Sequence, residues 1–81
     1  MPRSSRELLE EMARALVDEP GDVAVEQFTE DDGTVVLELV VGAEDYGKVI
    51  GRGGRTANAL RCVVKAAAVR EQRRVLVDIV D

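Results

Sequence analysis

The chain is organised around Val49-Ile50-Gly51-Arg52-Gly53-Gly54-Arg55, where three glycines and two arginines separate two segments with helical patterns. Glycine adopts backbone angles that other residues avoid, and it lets another group approach the main chain closely. The end of a helix needs only one or two glycines, so three glycines with arginines among them favour anion binding. The N–H groups and the dipole at the start of the second helix would attract a phosphate.

Two other glycine-rich motifs that bind phosphates do not fit this turn. The chain has no G-x-x-x-x-G-K-[ST] sequence, which excludes a P-loop. The dinucleotide fingerprint G-x-G-x-x-G lacks its third glycine here, and the pattern before the turn is that of a helix rather than a strand. The turn is therefore not predicted to hold a nucleotide cofactor.

The residues before the turn predict a helix and a β-hairpin. Ser4-Ser5-Arg6-Glu7 has the form of a capping box, and an apolar stripe then recurs at helical spacing as far as Val17. Two β-rich runs, from Val23 to Thr29 and from Thr34 to Val41, flank Asp32-Gly33, which is typical of a type I′ hairpin turn. The acidic residues of this turn lack the spacing of a cation site.

A short helix from Glu44 to Ile50 leads into the glycine turn, and a longer helix follows it. The longer helix begins near Arg55 and frays near Gln72. We expect Cys62 to pack as a small apolar residue. The residues expected to face inward are Ala57, Leu60, Val63, Val64 and Ala67.

The last β-rich run, from Val75 to Val80, completes the element order α-β-β-α-α-β. Three strands and three helices predict an α+β fold, with one three-stranded sheet and helices packed on one face. Eighty-one residues make one domain, which we take as residues 1–81.

The composition limits the class of protein. Phe28 and Tyr46 are the only aromatic residues, so bases cannot stack on a platform of rings. The single cysteine cannot form an internal disulfide, and no apolar run approaches the roughly 20 residues that span a membrane. The N-terminus has no hydrophobic signal segment, so we expect a cytoplasmic protein without membrane contact.

Charge is unevenly distributed along the chain. The net charge is −5, but residues 1–47 carry three arginines against thirteen acids, whereas residues 48–74 carry eight basic residues against Glu71 alone. Exposed charges more than about 8 Å apart are largely screened at physiological salt. A chain that is acidic overall can therefore present a basic end to an anion.

No group of residues predicts catalysis. The chain has no histidine, and its acids lie on a helix face and in a hairpin rather than in convergent positions. We find no acid–base pair, nucleophile, metal-binding set or cofactor motif, so we do not expect an enzyme.

The turn and its flanks resemble an RNA-binding motif. Tyr46-Gly47-Lys48-Val49-Ile50-Gly51-Arg52-Gly53-Gly54-Arg55-Thr56-Ala57-Asn58-Ala59-Leu60-Arg61 is similar to the V-I-G-x-x-G-x-x-φ-x-x-φ core of KH domains, where φ is aliphatic. The element order is similar to the type II, prokaryotic KH fold, and nearly the whole chain resembles small bacterial proteins with a single KH domain. In KH domains the GXXG loop clamps about four nucleotides of single-stranded RNA.

The resemblance implies which residues contact RNA. The clamp would consist of Gly51, Arg52, Gly53 and Gly54. The aliphatic residues Val49, Ile50 and Leu60 would line or support a groove for bases, opposed by the last strand from Val75 to Ile79. The basic side chains that would reach phosphates are Lys48, Arg55, Arg61, Lys65, Arg73 and Arg74.

The resemblance also implies the kind of function. KH domains usually have a larger aliphatic residue at the position of Ala57, so a shallower groove and weak selectivity for bases are expected. This fits a low-specificity RNA chaperone or post-transcriptional regulator. A second interpretation is a protein-interaction module that pairs with itself or with a larger RNA-binding protein of the Jag type, which carries KH and R3H domains. The alternation of Val36 and Val40 and the acidic first half would offer a surface for pairing.

Overall fold

The computed structural model describes residues 4–81 as six main elements. They are α1 (Ser5–Leu16), β1 (Ala24–Thr29), β2 (Val35–Val40), α2 (Tyr46–Ile50), α3 (Arg55–Arg70) and β3 (Val75–Val80). Short 3₁₀ turns cover Pro20–Asp22 and Arg52–Gly54. The predicted element order is confirmed. None of the described helices combines the length and the apolar character needed to cross a bilayer.

The central strand of the three-stranded sheet is β2. It pairs antiparallel with β1 and parallel with β3, so the sheet is mixed. Parallel neighbours need a long crossover connection, and α2, the glycine turn and α3 supply it. The register places Val25, Leu39 and Ile79 side by side, and all three are buried.

The helices pack on one face of the sheet, as predicted. Leu37 in β2 is fully buried, as are Leu9 in α1, Val49 in α2 and Val64 in α3. All belong to one cluster whose buried members are aliphatic. Burial of each such side chain contributes about 1.5 to 3 kcal/mol. The core therefore lies between the helices and one sheet face, and the other sheet face is left open.

Hydrogen bonds fix the start of α1 to two other elements. The Ser4 hydroxyl accepts the N–H of Glu7 at 3.2 Å, which confirms the predicted helix cap. Arg6 Nη2 donates to the carbonyl of Val25 in β1 at 2.9 Å. Glu71, just after α3, accepts the N–H of Ser5 at 2.7 Å. The end of α3 and the edge of β1 thus both hold α1 in place.

The hairpin between β1 and β2 is confirmed, but its predicted turn type is wrong. A type I′ turn needs positive φ at two central residues, and here Gly33 has a φ of 86° whereas Asp32 does not have a positive φ. The N–H of Gly33 donates to the Glu30 carbonyl at 2.9 Å, and the N–H of Glu30 donates to the Thr34 carbonyl at 2.8 Å. This is the pattern of a three-residue loop that ends in a left-handed glycine.

Two predictions about the inward face of α3 are also wrong. Cys62 is exposed, and Val63 is 46% exposed. Each residue turns a helix by about 100°, so Cys62 lies about 200° around the helix from the buried Leu60. The buried stripe of α3 consists of Ala57, Leu60, Val64 and Ala68. This stripe is narrower than the sequence pattern suggested.

Candidate nucleic-acid interface

The glycine turn joins α2 to α3 through left-handed backbone. Gly51 ends α2 with a φ of 75°, and its N–H donates to the carbonyl of Gly47 at 2.9 Å. Gly53 and Gly54 follow with φ angles of 63° and 79°. The N–H of Gly54 donates back to the carbonyl of Gly51 at 3.1 Å. Any other L-residue at these three positions would be strained.

The three glycines differ in the space around them. A Cβ atom at Gly51 would lie 2.3 Å from Oγ1 and 2.9 Å from the backbone nitrogen of Thr56. Gly51 therefore lets the turn pack tightly on the start of α3. A Cβ atom at Gly53 or Gly54 would have no atom within 4 Å. Those two residues thus leave the main chain open to the close approach of a ligand.

The start of α3 and two arginines make the turn electropositive. Gly54 is the N-cap of α3, and no side chain caps this helix. The N–H groups of its first turn carry the positive end of the helix dipole. Arg52 and Arg55 are exposed, and neither side chain has a hydrogen-bond or ion-pair partner within residues 4–81. Two unpaired cations therefore flank the open main chain.

Arg61 connects α3 to the edge strand β3. Its Nε donates to the carbonyl of Val77 at 3.3 Å, and its Nη1 lies 3.4 Å from Oδ1 of Asn58. The side chain is half-buried. Arg61 therefore lies between α3 and β3, where the sequence predicts the groove for RNA.

A second group of basic residues lies at the other end of α3. Lys65, Arg73 and Arg74 line a cavity of about 260 Å³ together with the residues Val69 and Leu76. Because α3 has 16 residues, about 24 Å separates its two ends. Arg73 and Arg74 are therefore not gathered at the glycine turn, but lie near the far end of the same helix.

Lys48 is bound by acids of its own chain. Its Nζ donates to the carboxylate of Asp18 and lies 3.7 Å from Oδ1 of Asp45. Asp45 is buried, and its carboxylate accepts the N–H groups of Asp18 and Glu19, both at 3.1 Å. The network ties α2 to the segment after α1, so this predicted phosphate contact already has two partners.

The same network shifts two pKa values. Hydrogen bonds from the N–H groups of Asp18 and Glu19, together with the charge of Lys48, lower the pKa of Asp45 below its ordinary value of 3.8. The hydrogen bond to Asp18 and the nearby carboxylates raise the pKa of Lys48 above 10.5. Both groups therefore stay ionised at neutral pH, which keeps the network intact.

The aliphatic residues predicted for the groove are largely core residues. Val49 is fully buried, and Leu60 is 5% exposed. Ile50 is half-buried and packs against the core cluster. Ala57 is buried as well. These side chains support the turn from beneath.

An apolar groove that the sequence did not predict lies between α1 and α3. Its volume is about 360 Å³, and its lining residues are Met12, Ala15, Leu16, Thr56, Ala59, Leu60 and Val63. Leu16 is 41% exposed and Val63 is 46% exposed. Both fit the inward stripe of their helices, so periodicity alone cannot separate them from core residues.

A helix, an exposed glycine turn and a second helix that connect parallel strands of a mixed sheet define a KH-type domain. Solved structures of the protein Era share this fold. Era of Aquifex aeolicus bound to GDP·AlF4− has a TM-score of 0.64 and 20% identity, over 93% of this chain and 29% of the Era chain. Era in complex with MgGDPNP and nucleotides 1506–1542 of 16S ribosomal RNA gives the same TM-score over 28% of its chain.

Relatives in sequence narrow this class to one family. The KH domain of KhpA and KhpB matches residues 6–79. The RNA-binding protein KhpA of Clostridium acetobutylicum is 51% identical over 75 residues, which are 93% of this chain and 99% of the relative. KhpA of Halalkalibacterium halodurans is 55% identical over 91% of this chain and 96% of the relative, and KhpA of Treponema pallidum is 44% identical over the full length of both.

The chain therefore belongs to the bacterial KhpA/KhpB family of KH-domain proteins. This membership confirms the predicted resemblance of the chain to KH domains. It also confirms the prediction that the chain is not an enzyme, because this is a family of binding proteins.

Proposed function

We propose that the chain binds single-stranded RNA and holds its phosphodiester backbone at Gly51–Gly54. The observation that carries the proposal is the open main chain at Gly53 and Gly54, where a Cβ atom would meet nothing within 4 Å. Arg52 and Arg55 flank this opening, and the uncapped start of α3 lies directly behind it. The relatives named RNA-binding protein KhpA support the same class of ligand.

From the glycine turn, the RNA strand runs along α3 on the side of β3. Arg61 lies between these two elements, bonded to the Val77 carbonyl. The path ends at a group of basic residues beside the start of β3, which are Lys65, Arg73 and Arg74. Phosphates along the strand then meet positive charge at both ends of α3 and at its middle.

We propose that this binding has low sequence specificity. Tyr46 packs against the core and Phe28 lies on β1, so no aromatic side chain lies along α3 for a base to stack on. Such a protein suits the role of an RNA chaperone or a post-transcriptional regulator. We place it in the cytoplasm, as one KH domain over residues 1–81, of which residues 1–3 lie outside the described structure.

A pair of double variants at the clamp tests the proposal. Gly53→Asp with Gly54→Asp places two negative charges at the opening, whereas Gly53→Asn with Gly54→Asn adds side chains of the same size without charge. Asp and Asn both tolerate left-handed backbone better than other L-residues do. We expect the Asp variant to lose binding to a fluorescent RNA of about ten nucleotides, and the Asn variant to keep measurable binding.

The controls separate charge at the clamp from unfolding and from net charge. Both double variants should show the same circular dichroism spectrum and similar melting temperatures. Gly21→Asp adds an acid where the space is also open, but far along the chain from the clamp, and should leave RNA binding unchanged. RNA affinity of the folded Asp variant equal to that of the natural chain would contradict the proposal.

The apolar groove between α1 and α3 favours a second function, which is pairing with another chain. We propose that the protein associates with itself, or with a larger KhpB or Jag-type protein that carries KH and R3H domains, through this groove. Leu16 and Val63 are half-exposed there, and burying apolar surface gains about 25 cal/mol per Å².

Light scattering over a range of concentrations tests the pairing. Val63→Glu places a charge inside the groove, whereas Val69→Glu places the same charge on α3 outside it, at a side chain that is 74% exposed. We expect Val63→Glu to reduce the measured molecular mass to that of a monomer, and Val69→Glu to leave it unchanged. A wild-type chain that is monomeric at every concentration and forms no complex with a purified KhpB-type protein would rule the pairing out.

A further inference from the structure

The sheet face opposite the helices, here called the open face, has an acidic row across its middle. Glu26 of β1, Glu38 of β2 and Asp78 of β3 lie directly opposite one another in the strand register. Within residues 4–81, none of the three side chains has a hydrogen bond or an ion pair. Like charges directly opposite on neighbouring strands destabilise a sheet. Attraction between the members of the row therefore does not explain why the three acids lie together.

Apolar rows flank the acidic row on both sides. Phe28, Val36 and Leu76 form one row, and Ala24, Val40 and Val80 form the other. Phe28 is 50% exposed and Leu76 is 41% exposed, so large apolar side chains are uncovered. Residues two apart along a strand are separated by about 7 Å, so the apolar rows lie about 13 Å apart with the carboxylates midway. Val36 and Val40, which the sequence suggests as an interaction surface, belong to these two rows.

We propose that the open face docks a basic amphipathic helix of a partner protein, with Lys or Arg between two apolar turns. Apolar residues at positions i and i+8 of a helix are about 12 Å apart, and a cation at i+4 lies midway between them. This spacing matches the two apolar rows and the acidic row between them. Oppositely charged groups then meet at the centre, which favours association.

Charge also excludes two other occupants of the open face. Three unpaired carboxylates repel the phosphates of RNA. A second copy of the chain, stacked face to face about a two-fold axis, would place its own acidic row on this one, because the acidic row is the middle of the three. No group of three or more potential ligands in the described part of the chain is placed to hold a metal ion. The inference goes beyond RNA binding and does not depend on it.

A synthetic helical peptide of about 18 residues serves as the probe, with leucines at i and i+8, lysine at i+4 and alanines elsewhere. It is titrated into the ¹⁵N-labelled full chain and followed by nuclear magnetic resonance. We expect saturable shift changes confined to the amides of β1, β2 and β3, and weaker affinity as salt rises. A peptide with glutamate in place of lysine should not bind. Shift changes centred on α1 and α3, or no saturable binding, would overturn the proposal.

Two triple variants with equal charge changes separate docking from general attraction. Glu26→Gln, Glu38→Gln and Asp78→Asn neutralise the acidic row, whereas the control neutralises exposed acids elsewhere through Glu11→Gln, Glu19→Gln and Glu44→Gln. We expect the first triple to weaken peptide binding by about tenfold or more and the control by less than about twofold. The first triple should also melt at a higher temperature, because like charges are removed. Equal loss of affinity in both triples would refute docking at this face.

Discussion

The three glycines of the turn have two different physical roles. Gly51 fits where a methyl group would overlap Thr56, so its role is packing. Gly53 and Gly54 face empty space, so the role we propose for them is access to the main chain. All three glycines allow the positive φ of the turn, and Gly53 and Gly54 in addition leave room for the proposed ligand.

Alanine substitutions distinguish these roles by stability. Gly51→Ala combines left-handed strain with overpacking against Thr56, so we expect it to lower the free energy of unfolding by about 2 to 5 kcal/mol. Gly53→Ala adds strain alone, with an expected loss of about 1 to 2 kcal/mol. Urea denaturation measures both. Gly47→Ala, inside α2 and without a close neighbour, is the control and should not destabilise. Equal losses for Gly51→Ala and Gly53→Ala would refute the packing role.

Asp45 makes the stability of the fold depend on acid pH. Its pKa is lowered by the N–H of Asp18 first, and then by Glu19 and Lys48. A carboxylate whose pKa falls on folding stabilises the protein above its unfolded-state pKa of 3.8, and this contribution is lost as pH falls through the lower folded-state value. We therefore expect Asp45→Asn to lower the melting temperature at neutral pH, and this difference to shrink below pH 3.8. A difference that stays constant into strong acid would contradict the assignment.

At the scale of elements, the C-terminus of α3 contains one residue in a costly conformation. Gln72 has a φ of 57°, and the N–H of Arg73 beyond it donates to the carbonyl of Ala68 at 3.1 Å. Helices commonly end this way, usually with glycine in the left-handed position. The turn directs the chain into β3 beside the basic side chains of Arg73 and Arg74.

Replacing Gln72 tests this helix end. We expect Gln72→Gly to raise the free energy of unfolding by about 1 kcal/mol, because glycine adopts positive φ without strain. The stability of Gln72→Asn should lie between that of the natural chain and that of Gln72→Gly. Gln72→Ala should not stabilise the protein. Thermal denaturation followed by circular dichroism measures the order. A glycine variant that is less stable than the natural chain would show that Gln72 makes a contribution beyond its backbone.

Periodicity predicted the elements themselves well, since helical and strand spacings leave clear patterns in the apolar residues. It could not assign every residue to a face. Cys62 and Val63 are only one or two residues away from buried residues of α3. The packing of α1 and the sheet against α3 decides which of these side chains are covered. The prediction of the hairpin's turn type was wrong for a similar reason, because Asp32-Gly33 is compatible with a two-residue and with a three-residue loop.

At the scale of the whole molecule, different ligands are proposed for opposite sides of the sheet. The glycine turn, Arg61 and the Arg73–Arg74 pair lie with the helices, while the acidic row of Glu26, Glu38 and Asp78 lies on the open face. A net charge of −5 is therefore compatible with the basic residues that we propose to contact RNA. This separation prevents the acidic row from opposing the proposed RNA contacts.

The salt dependence of RNA binding measures how many phosphates the proposed basic residues contact. Three or four contacts on a single strand predict a slope of log K against log salt of about −2 to −3. Arg52→Gln should reduce the slope by about 0.7, since each phosphate contact on single-stranded RNA contributes that much. Arg14→Gln, on α1 and paired with Glu10, should leave the slope unchanged. If Arg52→Gln leaves the slope unchanged as well, Arg52 does not contact a phosphate.

The sequence alone could predict the glycine turn between two helices but not the arrangement of the residues around it. Gly51 to Arg55 are contiguous, so one motif contains the turn and its charges. Lys48 was predicted for the same site, yet its ion pair with Asp18 depends on how α2 packs beside the end of α1. Glu26, Glu38 and Asp78 are far apart in the chain, and only the strand register brings them into one row.

The proposal that RNA binds at the glycine turn can be tested directly by a chemical-shift map of the ¹⁵N-labelled chain with single-stranded RNA of about ten nucleotides. We expect the largest changes at the amides from Gly51 to Ala57, with smaller changes along α3 and the edge of β3. The amides of Glu26, Glu38 and Asp78 should not respond. Changes confined to the open face or to the groove between α1 and α3, with none at the glycine turn, would show that RNA does not bind at the glycine turn.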